Sequence, residues 1–134
     1  MNYWLVKSEP KKYAWEKFLH DKKTFWDGVR NYQARNNLKA MKKDDQVLFY
    51  HSNEGLCVVG IAEVIKEFYQ DPTTDDKQWV VVDLAPLQSF ESPVTLEQIK
   101  ADSLLANVAL IRQSRLSVMP LSADEFNRII ALGN

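Results

Sequence analysis

Two runs rich in β-branched and aromatic residues, Val58–Phe68 and Trp79–Phe90, stand on either side of the polar segment Asp71-Pro72-Thr73-Thr74-Asp75-Asp76. They are the longest strand candidates in the chain, and they do more than any other feature to limit the fold. Further strands are expected at Tyr3–Lys7, at Gln46–Ser52 and at Arg115–Pro120. These strands do not follow the strand–helix–strand alternation of a doubly wound sheet. The expected architecture is α+β, a compact barrel of mixed strands with short helices outside it, formed as one domain over residues 1–134. Val47, Phe49, Val59, Ile61, Val64, Val80 and Val82 are expected to share its core.

The helices are marked by spacing and by their ends. Trp15, Phe18 and Leu19 fall at i, i+3, i+4, and Ala34, Leu38 and Met41 repeat as one face of a helix that starts near Asn31. Thr95-x-x-Gln98 and Ser122-x-x-Glu125 are capping boxes, in which a hydroxyl and a later side chain satisfy free amides at a helix start. The last helix turns Phe126, Ile129 and Ile130 inward, with Gly133 as its C′ residue. Thr24–Gly28 reads as an ordered loop pivoting on Gly28, and Asp44-Asp45 and Asn53-Glu54-Gly55 read as turns.

Charge narrows the function. The net charge of −1 argues against a protein that coats nucleic acid through bulk electrostatics. Residues 1–50 nevertheless carry net +5 and residues 51–134 net −6, which leaves open a modestly basic face built from the first half or, as the plainer reading of its lysines, a set of solvated helix faces. The single cysteine, Cys57, excludes an internal disulfide and fits a reducing compartment. No apolar run reaches the roughly 20 residues that span a bilayer, and the N-terminus lacks the pattern of a signal peptide. The expected location is cytoplasmic, or nuclear in a nucleated cell.

Several chemistries have no footing. One cysteine and two histidines, His20 and His51, cannot build a structural zinc site. The four glycines form no phosphate-binding loop. His51 and Ser52 are adjacent on a strand and point to opposite faces, so they do not act as base and nucleophile. No cofactor and no metal is expected.

What stands out is the pairing of polar with aromatic residues in four segments: Lys7-Ser8-Glu9-Pro10, Thr24 to Asn37 with Trp26 beside Gly28, Tyr50-His51-Ser52, and Ser114-Arg115-Leu116-Ser117-Val118. Brought together, they would form a concave site with an aromatic wall and neutral donors and acceptors, suited to a flat heterocycle. Spacing alone does not bring them together. It leaves open Trp26 and Tyr50 as core aromatics, Arg30, Arg35 and Arg115 as surface or ion-paired arginines, and His51 as a structural histidine.

Those segments, together with Phe49-Tyr50-His51-Ser52, Val59-Gly60-Ile61-Ala62 and Asp71-Pro72-Thr73, resemble the EVE domain family over nearly the whole chain, most specifically from Trp26 to Asn36. The resemblance implies a PUA-like pseudo-barrel, related to domains that read modified bases, and a pocket lined by the four segments. Asp44-Asp45 departs from it, since a glycine is expected in that turn.

The implied ligand-binding set is Lys7, Ser8, Glu9, Trp26, Arg30, Asn31, Tyr50, His51, Ser52, Arg115, Leu116 and Ser117. In it Trp26 walls the pocket, with more solvent access than the core residues and a smaller stability role than a core tryptophan. Ser8, Asn31 and Ser117 read the base edge, and Arg30, Arg35 and Arg115 hold phosphates or brace loops. The expected partner is a modified nucleobase in RNA or DNA. The alternative is a small ASCH-like hydrolase of modified nucleosides using Lys7 and Glu9 as a general-base pair. Against it, the two are separated by one residue where the ASCH-type pattern has two.

Overall fold

A computed structural model describes residues Met1–Asn134. In chain order the elements are β1 (Tyr3–Ser8), α1 (Trp15–Asp21), β2 (Thr24–Phe25), α2 (Tyr32–Ala40), β3 (Gln46–His51), β4 (Cys57–Gln70), β5 (Val80–Thr95), α3 (Leu96–Ala101), α4 (Ala109–Arg112), β6 (Val118–Leu121) and α5 (Ala123–Gly133). A single 3-10 turn lies at Ser103–Leu105. The strands form one six-stranded sheet in the order β2-β5-β4-β3-β1-β6, so the architecture is α+β. β1 and β3 run parallel, and every other pair is antiparallel.

The sheet curls because its long strands are interrupted. Register shifts break the β4–β5 ladder at four places and the β3–β4 ladder between Phe49 and Tyr50. Each such bulge bends the strand and raises its twist. As a result Trp26, just beyond the β2 edge, reaches Phe49 on β3 with ring centroids 5.5 Å apart. The ladder does not close, since β2 and β6 remain its edges. Its concave face and the helices enclose one core of 33 buried residues, including Leu5, Phe18, Phe49, Val82, Met119 and Ile129. No helix is long and apolar enough to cross a membrane.

The helix starts follow from their capping residues. The side chain of Asn31 accepts from Ala34 N–H, and Thr95 and Ser122 each complete a capping box. Ala34, Leu38 and Met41 are fully buried, as their spacing requires. Asp44 takes φ 77°, the left-handed conformation for which glycine is the usual choice and aspartate is tolerated. Its neighbour Asp45 is buried, and its carboxylate accepts from Trp4 Nε1, Asn2 N and Lys42 N, each at 3.0 Å.

Several elements differ from expectation. Thr24 and Phe25 pair with β5, so this part of the loop is a short edge strand. β6 begins only at Val118, which leaves Arg115–Ser117 in the turn before it. Leu19 is exposed, and α1 packs through Trp15 and Phe18 alone. Val59 lies in the bulge between Val58 and Gly60 and is half-buried, while Val58 takes the core position. Gly133 is inside α5, not beyond it, and its glycine answers to packing, since a Cβ there would collide with the ring of Phe90.

Candidate functional site

The site follows from one topological fact. Because β1 and β3 are parallel, Ser8 pairs with His51 and the two strands end on the same side of the sheet. The chain after each strand, Glu9–Tyr13 and Ser52–Asn53, therefore borders one hollow. β6 is antiparallel to β1, so the turn that precedes it arrives at the same end. Three backbone bonds fasten these pieces together: Lys7 N to Ser117 O at 2.9 Å, Ser52 N to Ser8 O at 2.9 Å, and Trp26 N to Val82 O at 2.8 Å.

The hollow is a half-open cleft of about 620 Å³. Lys7, Ser8, Glu9, Lys12 and Tyr13 form one side, Thr24 to Gly28 another, and Ser52, Asn53, Ser114, Arg115 and Ser117 the rest. Most of this lining is polar, with Phe25 and Trp26 as its apolar wall. Such a lining offers a flat heterocycle polar partners and an apolar wall.

Trp26 is 8% exposed and belongs to the core, its ring set edge-on to Phe49 and Tyr13. It is more exposed than Val47, Phe49, Ile61, Val64, Val80 and Val82, as expected, but at this burial it packs as a core residue, which does not support the smaller stability role expected from sequence. Its indole N–H has no acceptor in the protein, and no buried polar atom anywhere is left unsatisfied. That nitrogen therefore keeps contact with solvent, in a residue that lines the cleft. By contrast, the indoles of Trp4 and Trp15 donate to Asp45 and Ser89.

The Trp26 loop is held from behind. Asp71 is fully buried and accepts from Gly28 N, Thr73 N, Thr73 Oγ1 and Arg30 Nη1. Burial alone would raise its pKa, but the bonds from Thr73, Gly28 and Arg30 outweigh this and hold the carboxyl at about 2. Gly28 has φ 78°, which a side chain would strain.

Seven of the twelve residues expected from sequence line the cleft: Lys7, Ser8, Glu9, Trp26, Ser52, Arg115 and Ser117. Five lie elsewhere. Arg30 is committed to Asp71 at 3.0 Å and lies over the Trp79 ring. The Asn31 carbonyl caps α2, and Asn31 lines an adjoining groove with Leu116, which is otherwise buried. Tyr50 is buried. His51 Nε2 accepts from Trp15 N–H at 3.1 Å, and burial lowers its pKa, against a smaller opposing effect of Glu16. A histidine that accepts at Nε2 is neutral, and here it caps a helix whose own Ncap, Ala14, has no side-chain acceptor.

Lys7 and Glu9 do not pair. Lys7 Nζ donates to Ser114 O at 2.8 Å, and burial lowers its pKa. Glu9 engages Lys12 and Asn53. The arrangement required of a Lys–Glu general-base pair is absent. Ser8 Oγ donates to Tyr13 O, so it faces a ligand as an acceptor.

Lys12, Tyr13, Thr24, Phe25, Asp27, Gly28, Asn53 and Ser114 also line the cleft and were not among the expected residues. The turn signal at Asn53-Glu54-Gly55 was readable. Its place beside the cleft depends on the parallel pairing of β1 with β3, which no local pattern announces.

The model of the EVE domain family matches residues 2–132. Thymocyte nuclear protein 1 of Mus musculus is 36% identical over 98% of this chain and 73% of its own length. A crystal structure of a protein from Agrobacterium tumefaciens is 44% identical, with a TM-score of 0.98, covering 100% of this chain and 94% of that one. The human THYN1 protein, solved in complex with 5-methylcytosine-containing DNA, is 31% identical with a TM-score of 0.93, covering 100% and 98%. An ASCH protein of Zymomonas mobilis, at 14% identity and a TM-score of 0.62, shares the fold.

Proposed function

The chain belongs to the EVE domain family, and on that premise we propose that it is a DNA-binding module that captures a modified nucleobase in the cleft beside Trp26. The observation that carries this reading is the cleft itself, polar around most of its wall and apolar at Phe25 and Trp26, with an unused indole donor. It is supported by the similarity to the human THYN1 protein, whose structure holds DNA containing 5-methylcytosine. A base in a duplex must be flipped out to enter such a cleft, at a cost of a few kcal/mol. The Trp26 N–H and the Ser8 and Ser117 hydroxyls then address the polar edge of the base, and the apolar wall takes its added methyl group. The whole chain acts as one unit inside the cell, in the cytoplasm or in a nucleus, where lone Cys57 stays reduced.

The test is a titration of two DNA duplexes that differ in a single 5-methylcytosine, at low and at moderate salt. Burying one methyl group contributes about 0.8 kcal/mol, or about fourfold in affinity. The methylated duplex is expected to bind tighter by about that factor at both salt concentrations. Equal binding of the two duplexes, fading together as salt rises, overturns the reading.

A further inference from the structure

A second groove, of about 310 Å³, adjoins the cleft and shares Ser114 and Arg115 with it. Asn31 and Gln33 at the start of α2 form one side, and Arg112 and Gln113 at the end of α4 form the other. No carboxylate lines it.

Neither of its arginines is paired with a carboxylate. Of the five in the chain, Arg30 and Arg128 form ion pairs with Asp71 and Asp102, and Arg35 bonds Asn36 and lies over Tyr32. Arg112 has no carboxylate partner; it donates from Nε to Ala106 O and from Nη2 to Asn107 Oδ1. Those bonds fix its posture and use two of its five N–H donors. Arg115 forms neither an ion pair nor a hydrogen bond with the protein. The turn that carries it is nevertheless anchored, by Lys7 Nζ on Ser114 O and by Lys7 N on Ser117 O.

We propose that this groove binds a phosphodiester flanking the base held in the cleft, with Arg112 and Arg115 as its donors. The inference rests on the base-capture reading. A captured base stays joined through its sugar to the backbone, and a backbone leaving the cleft over the Ser114–Arg115 rim enters the groove. A guanidinium keeps its charge at any physiological pH, and its planar N–H pairs match phosphate oxygens. The free donors of Gln33 and Gln113 suit the same anion.

The test uses the full chain and two probes: 5-methyl-2′-deoxycytidine, which has no phosphate, and a DNA duplex with one 5-methylcytosine. The double variant Arg112→Gln/Arg115→Gln is compared with wild type, with Lys42→Gln/Lys43→Gln on another face as the control. The double variant is expected to bind the duplex about tenfold more weakly at low salt. Its slope of log affinity against log salt is expected to flatten by about 0.9 for each phosphate that is no longer neutralised. Nucleoside binding by Arg112→Gln alone, a residue outside the cleft, is expected to stay within twofold. Arg115→Gln alone removes no internal hydrogen bond, and it is expected to flatten the slope by half as much even if the double variant is unstable. An unchanged slope in Arg115→Gln, or a drop equal to that of the lysine control, overturns the groove. The nucleoside probe judges base capture separately: wild type that fails to bind it contradicts the cleft reading, whatever the arginine variants do to the slope.

Discussion

Trp4 and Trp26 are buried to nearly the same degree, at 5% and 8% exposure, and both belong to the one core. They differ in what their indole nitrogens meet. Trp4 donates to Asp45, which also accepts from Asn2 and Lys42, so that end of the sheet is saturated. Trp26 lies where β1 and β3 end together, and its N–H has no acceptor in the protein. The same residue type therefore closes one region and equips the other. Burial does not separate the two roles, but hydrogen-bond satisfaction does.

The largest expected effect breaks the saturated side. Asp45→Ala removes one acceptor from three donors and is expected to lower stability by about 3 kcal/mol, read from denaturant unfolding. Affinity for methylated DNA in the remaining folded protein should change less than twofold. A stability loss below about 1 kcal/mol would deny that the two regions differ in this way.

Next in size is a paired substitution that sharpens the contrast. Trp26→Ala would be uninformative, because a tryptophan this buried costs about 3–5 kcal/mol when truncated. Phenylalanine keeps a ring and removes the N–H. Trp4→Phe is expected to cost about 1–3 kcal/mol, since it strips a buried carboxylate of a donor, and to leave binding alone. Trp26→Phe is expected to cost less in stability but to weaken binding of the methylated duplex about fivefold. Equal stability costs with equal binding would place both indoles in the same role.

A smaller effect concerns the anchor behind the Trp26 loop. The pKa of Asp71 is depressed to about 2, so the unfolded chain takes up its proton first as pH falls. Its contribution is thus complete above the ordinary value near 4 and is lost between there and about 2, a change of about 2 kcal/mol. Thermal melts across that range should fall more steeply in wild type than in Asp71→Asn. Parallel curves would show that Asp71 does not anchor the loop.

Helix boundaries were legible because capping is local: Asn31, Thr95 and Ser122 each bond within three residues. The long strands were legible from composition, although their bulges, and with them the half-buried place of Val59, were not. The cleft was legible only in part. Arg30 and His51 looked like ligand residues, but their partners, Asp71 and Trp15, lie 41 and 36 positions away. Whether a polar side chain is spent inside the fold or left for a ligand depends on such distant neighbours. Ser117 and Arg115 remained available because their turn is held through Lys7 and the backbone.

The most direct test of base capture beside Trp26 watches the indole N–H signals of the four tryptophans by ¹H–¹⁵N NMR during titration with 5-methyl-2′-deoxycytidine. The Trp26 signal is expected to shift progressively and saturate, while those of Trp4 and Trp15 stay in place, because their N–H groups are already bonded to Asp45 and Ser89. A Trp26 signal that does not move at saturating nucleoside, or four signals that drift together without saturation, would contradict capture of the base in this cleft.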